Sequence, residues 1–116
     1  MARAALKIVN LELDRPTVPT ALSLLENALH SARGQKYVAV KLIHGYGSSG
    51  VGGDIRIAVQ KTLAQKIAVQ EIRAFVAGED WRISNEATWE LLKKCPELKQ
   101  DADLGRANRG ISIVVL

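Results

Sequence analysis

The 116-residue sequence predicts an α/β fold: a two-layer sandwich with helices packed on a four-stranded sheet, in the order β-α-β-α-β-(α)-β. Three observations lead there. Short runs of branched apolar residues alternate with segments whose apolar residues recur at helical spacing. A stretch with five glycines between positions 45 and 53 joins one such run to the next helix. The last six residues, Ile111-Ser112-Ile113-Val114-Val115-Leu116, read as one more strand.

Residues 6–13 alternate in the manner of a strand, which Asp14-Arg15-Pro16 then breaks. Thr17 is placed to cap the following helix, and Pro19 falls in its first turn, where a missing N–H does no harm. Val18, Ala21, Leu22, Leu25, Leu29 and Ala32 share one helical face, and Gly34 fits the left-handed position that ends a helix. His30, near that end, reads as a surface residue without a role. Residues 37–43 form the second strand. Asp54 suits the N-cap of the second helix, whose inner face is Ile55, Ala58, Val59, Thr62 and Leu63, with Arg56 and Lys61 pointing outward. Residues 70–77 form the third strand. The polar stretch before the fourth is too long for a turn. A helix capped by Ser84 or Asn85 fits there, running to Lys94 with Trp89 and Leu92 inward and stopped by Cys95-Pro96. The expectation is a single domain, 1–116, with a helical insertion at about 79–105.

A content of 47% hydrophobic and 24% charged residues describes an ordinary globular chain. No run reaches the length of a membrane span and no signal-type apolar core opens the chain, so a cytoplasmic protein without a membrane partner is expected. Cys95 stands alone, which excludes an internal disulfide and a cysteine-only zinc site. Charge is uneven: residues 1–66 carry a net +5 and residues 67–116 a net −1. The basic excess lies in the half that holds the glycine stretch and favours an anionic partner, DNA or RNA among them.

That stretch is the first candidate site. Gly45, Gly47, Gly50, Gly52 and Gly53 let the backbone approach a ligand, and a helix start behind them offers unpaired N–H groups to a phosphate. His44 can donate, accept or titrate near neutral pH, and Tyr46 adds a flat face and a hydroxyl. The plainer alternatives are a tight turn whose glycines avoid clashes and a hydrogen-bonded strand-end histidine. No Gly-Lys-Ser/Thr follows, so the Walker pattern is absent. A dinucleotide fingerprint fits poorly, because Arg73-Ala74-Phe75 stand about 20 residues on, where an acid is needed, although Glu71 is near. Trp81 and Trp89 both lie in the insertion, and either bury it against the sheet or stack on bases. Arg106 and Arg109, just before the last strand, belong to a solvated loop or contact phosphate.

Three motifs in order carry a resemblance. Ile43-His44-Gly45-Tyr46-Gly47 with Ile55-Arg56 is similar to the central motif of the Smr (small MutS-related) domain. Gly110 to Leu116 is similar to its closing Gly-x-Thr-x-Val-x-Leu. Leu11-Glu12-Leu13-Asp14-Arg15, with Thr17-Val18 and Ala21, falls on its opening Leu-Asp-Leu-His-Gly. The resemblance covers nearly the whole chain outside the insertion. It implies a fold similar to the C-terminal domain of bacterial translation initiation factor three, nucleic-acid binding through the His-Gly-x-Gly loop, and nicking or endonuclease activity in some members. In cleaving members the acid and histidine of the opening motif are implicated. Here Glu12 keeps the carboxylate, Asp14 stands in place of the histidine and Arg15 in place of the glycine, so the obvious proton-shuttling imidazole is missing.

Three functions follow as expectations. The first is a nucleic-acid binder without strong cleavage activity. It would use His44, Gly45, Tyr46, Gly47, Gly50, Gly52, Gly53 and Arg56, with Arg15, Arg106 and Arg109 as positive surround. The second is a nicking endonuclease or other phosphoester hydrolase using Glu12, Asp14 and His44, with Mg²⁺ or Mn²⁺ as cofactor only if it cleaves. Glu12 and Asp14 share a face only if the first strand continues to Asp14, which Pro16 argues against. The third is a protein–protein adaptor with the Trp81/Trp89 insertion as its contact surface.

Overall fold

The computed structural model describes residues 6–13, 16–45 and 51–116, with positions 51 and 52 described in their backbone only. Strands β1 (Leu6–Asn10), β2 (Ala39–Ile43), β3 (Ala74–Ala77) and β4 (Ile111–Val115) form one sheet in the order β1-β2-β4-β3. β1 is parallel to β2, while β4 is antiparallel to both β2 and β3. β1, β2 and β3 therefore run in one direction and bring their carboxyl ends to the edge where β4 begins. Helices α1 (Val18–Gly34) and α2 (Val51–Ala68) connect these parallel strands. Helix α3 (Glu86–Lys94) lies in the insertion between short 3₁₀ segments at Gly78–Asp80 and Pro96–Gln100.

The Thr17 hydroxyl caps α1, accepting the Thr20 N–H at 3.3 Å. Ala21, Leu25, Leu29 and Ala32 of α1 and Ile55, Val59 and Leu63 of α2 pack together on Val40, Leu42 and Val114 of the sheet. Each fully buried leucine contributes about 1.5–3 kcal/mol. This is the expected sandwich of two helices on a sheet. On the opposite face, Ala39, Val76, Ile111, Ile113 and Val115 meet Trp81, Leu91, Leu92 and Leu98 of the insertion. The insertion thus covers the second face, and all five residues of β4 are buried.

One charged residue sits in that second interface. Lys41, in the middle of β2, is 5% exposed and pairs with Asp101 at 2.9 Å and Asp103 at 2.5 Å. Asp101 also accepts the Trp81 indole N–H at 2.9 Å, and Asp103 accepts the Asn108 amide at 2.9 Å. Burial pulls the Lys41 ammonium down, but the hydrogen bonds to Asp103 and Asp101 outweigh it and hold the group above its ordinary value. Lys41 and Asn108 hold Asp103 below the usual carboxylate range. The insertion is therefore fastened to the sheet by a buried ionic network as well as by apolar contact.

Several boundaries differ from the sequence reading. Gly34 is the last residue of α1 rather than its left-handed terminator, a position held by Lys36 at φ 62°. There the Tyr37 N–H bonds the Ala32 carbonyl and the Lys36 N–H bonds that of Arg33. α2 ends identically, with Gln70 at φ 63°, Glu71 bonded to Lys66 and Gln70 to Ile67. Both are Schellman turns built without glycine, so the usual marker is missing. This turn delays β3 to Ala74, and β1 stops at Asn10 rather than position 13. Asp54 is the fourth residue of α2 rather than its cap, and sits where a negative charge complements the helix's positive end. Asn85 caps α3 as expected, but Trp89 is 46% exposed instead of inward, while Thr88, Leu91 and Leu92 make the inner face.

Candidate nucleic-acid interface

The carboxyl edge of the sheet gathers the end of β1, the end of β2, the first turn of α2, the end of β3 and the start of β4. In open α/β sheets this is the edge where ligands bind. Beyond β1, the Leu11 N–H bonds the Ile43 carbonyl at 2.7 Å and the Glu12 N–H bonds the Asn10 side chain at 2.9 Å. Beyond β2, the N–H groups of His44 and Gly45 both bond the Gly110 carbonyl, at 2.9 and 3.0 Å. Gly45 has φ +76°, and a Cβ there would run into the Glu12 carboxylate. Glycine meets both demands at that position without strain.

His44 is fully buried. Its Nδ1 lies 2.6 Å from the Gly45 carbonyl, which can only accept, so Nδ1 carries the proton. Nε2 then accepts the Ser112 hydroxyl at 2.8 Å. Burial pushes His44 below its ordinary value; the Gly45 carbonyl opposes this and the Arg56 charge reinforces it. A neutral imidazole with both nitrogens occupied fastens the end of β2 to β4, and its lone pair is not offered to a ligand.

Arg56, expected to point outward, turns in toward the end of β3. Its Nη2 donates to Glu79 Oε2 at 2.9 Å. Arg109 Nε lies 3.7 Å from the same oxygen. Arg106 and Arg109 line one recess with Asp103 and Asn108, and Arg56 and Glu79 line another with Gln60 and Phe75. Gly52 and Gly53, expected in the loop, belong to the first turn of α2, where backbone N–H groups lack intrahelical partners.

Of the expected site residues, Glu12, His44, Gly45, Gly53, Arg56 and Arg109 come together at this edge, with Arg106 beside Arg109. Asp14, Arg15, Tyr46, Gly47 and Gly50 lie outside the described residues. Among the described residues, no group of three His, Cys, Asp or Glu side chains is placed to hold a metal ion. Of the expected Mg²⁺ or Mn²⁺ ligands, His44 has both ring nitrogens engaged, Glu12 is exposed beside Gly45, and Asp14 lies outside the described residues. Trp81 is completely buried and cannot stack on bases, whereas Trp89 is exposed, with the Lys93 ammonium 6.0 Å from its ring. Glu79 was missed by sequence reasoning. Its signal is an acid directly after a glycine at the end of β3, the edge to which Arg56 also points.

Fold and site together define a small α/β module with arginines at the carboxyl edge of a mixed sheet. The Smr domain model matches residues 11–93, and the chain belongs to the Smr domain family. That family is known for nucleic-acid binding and nicking endonuclease activity. The crystal structure of the Smr domain of Thermus thermophilus MutS2 is similar in fold, with a TM-score of 0.59 at 22% identity over 95% of this chain and 96% of that one. No curated protein matches the chain. No helix among the described residues is long and apolar enough to cross a membrane.

Proposed function

We propose that this domain binds the phosphate backbone of DNA or RNA at the carboxyl edge, without strong cleavage activity. The observation that supports this most is the convergence of Arg56, Arg109 and the open first turn of α2 on one edge. Guanidinium forks and helix-start N–H groups both suit phosphate oxygens. Gly45 adjoins the same edge, and Tyr46, Gly47, Gly50 and Arg15 enter this reading from the sequence motif alone. Arg106 continues it along the recess beside Arg109. His44 acts through the Gly45 carbonyl and Ser112, holding the loop entrance in place rather than touching the ligand. Contacts of this kind favour binding with little sequence readout.

The test is fluorescence anisotropy with labelled single-stranded and duplex DNA and RNA across a salt series. Wild type is expected to bind, with log K falling linearly in log salt. Replacing Arg56 and Arg109 together by alanine should flatten that slope by up to about 2, one unit for each lost phosphate contact. Strands that stay intact on a denaturing gel, with and without Mg²⁺ or Mn²⁺, support a binder. Absence of binding to all four at low salt refutes the reading, and cuts abolished by Glu12→Ala would favour the hydrolase instead.

A further inference from the structure

The Arg56–Glu79–Arg109 arrangement is poorly satisfied for a half-buried carboxylate between two arginines. Glu79 offers one oxygen to two arginines, 2.9 Å from Arg56 Nη2 and 3.7 Å from Arg109 Nε. Its other oxygen, Oε1, and the Nε of Arg56 are buried with no hydrogen-bond partner among the described residues. An arginine met side-on by an anion would use Nε and Nη2 together; here only Nη2 is used. Glu79 cannot draw its backbone away. It follows Gly78, where a Cβ would run into the carbonyls of Asn108 and Ile111, so the end of β3 is pressed against the start of β4. The carboxylate is thus tethered near both guanidiniums, with incomplete pairing on each side.

We propose that Glu79 is an internal stand-in for phosphate. In the free protein its carboxylate occupies the place between Arg56 and Arg109 that a phosphodiester oxygen takes in the complex, so nucleic acid binds by exchange with it. This deepens the phosphate-binding reading and rests on it. Exchange makes Glu79 a residue that sets affinity and selectivity: weak or isolated anions do not displace it, whereas a backbone that also engages Arg106 and the start of α2 does. The ligand class is a phosphodiester strand rather than a free phosphate.

The experiment compares wild type, Glu79→Gln, and Glu90→Gln, which removes an exposed acid of α3 whose partner is Lys93. Folding of each variant is checked by circular dichroism. Anisotropy is read with a labelled single-stranded oligonucleotide, and inorganic phosphate serves as competitor. Glu79→Gln is expected to bind about tenfold more tightly at low salt, with a salt slope steeper by about 0.7–0.9 for the one additional uncompensated charge. Inorganic phosphate should compete with the oligonucleotide at lower concentration in Glu79→Gln than in wild type. Glu90→Gln should change affinity by less than about twofold, as a screened surface charge does. Unchanged or weaker binding by Glu79→Gln, while wild type still binds and Arg56→Ala weakens it, overturns the proposal and leaves the binding reading standing. The same holds if Glu90→Gln tightens binding as much as Glu79→Gln. Binding by Glu79→Gln alone supports the exchange, and binding by none of the three overturns both.

Discussion

Replacing Asp101 by alanine tests whether the insertion is held by its ionic network or by apolar contact alone. Asp101 is 5% exposed in its side chain, bonds the Lys41 ammonium at 2.9 Å, and accepts the indole N–H of the fully buried Trp81. Its loss orphans that N–H, at about 1–3 kcal/mol. Breaking a buried ion pair outright costs about 3–5 kcal/mol. Asp103 still faces Lys41 at 2.5 Å, which cuts that second loss to roughly 1–2 kcal/mol. The sum is about 2–5 kcal/mol, or roughly 8–20 °C in Tm for a domain of this length. Urea unfolding followed by far-UV circular dichroism and tryptophan fluorescence measures it. Asp101→Asn keeps an acceptor for Trp81 and should lose about half as much. The pH dependence has a definite sign. Lys41 is held above its ordinary value, so its share is complete below about pH 10.4 and is lost as pH rises through the raised value. Asp103 is held low, so its share is complete above about pH 3.9 and is lost as pH falls through the lowered value. The stability difference between wild type and Asp101→Ala should therefore be flat between about pH 4 and 10. A loss under about 1 kcal/mol at pH 7 would refute the reasoning and leave apolar burial as the fastening.

Two further outcomes bear on the edge itself. His44 is held below its ordinary value, so its neutral form stabilises the fold fully above about pH 6.5, and that share is lost as pH falls toward the lowered value. Wild type should lose stability on acidification through this window in urea titrations, and His44→Gln should remove that slope. Gly45→Ala meets the flexible tip of the exposed Glu12 and a φ of +76°, an expected loss of about 1–2 kcal/mol. Gly78→Ala meets backbone carbonyls that cannot swing aside, an expected loss of about 3 kcal/mol or more. The reverse ranking in thermal melts would contradict the geometry.

Periodicity was enough to place α1, α2 and the two central strands, because Leu25, Leu29, Val59 and Leu63 repeat at helical spacing while β2 and β4 are apolar but for Lys41 and Ser112. Helix ends were legible where a side chain marks them, as Thr17 and Asn85 do. They were not where Lys36 and Gln70 accept left-handed backbone, since neither residue type announces it. The motif around His44 located the site, but local sequence cannot show that Ser112, 68 positions away, occupies its Nε2. Nor could it show that Arg56 meets Glu79 across 23 positions. Trp81 and Trp89 were equivalent by composition. Asp101 decides between them, because it supplies the acceptor that lets one indole be buried completely.

β4 is the latest strand in chain order, yet it lies between β2 and β3. Its two neighbours do not touch each other without it, so β3 has no partner until residues 111–115 arrive. During synthesis β1, α1 and β2 can associate early, because their parallel pairing needs only the first 43 positions. β3 must wait, exposed, for a strand more than thirty residues further on, and the apolar face of α3 waits with it. Such long-range closure slows folding and lengthens the time in which unpaired edges can meet other chains. The buried network at Lys41 assembles late as well, since Asp101 and Asp103 lie within ten positions of the start of β4. Completion of the sheet, docking of the insertion and formation of the carboxyl edge thus belong to one late step, and a nascent chain lacking β4 lacks that edge.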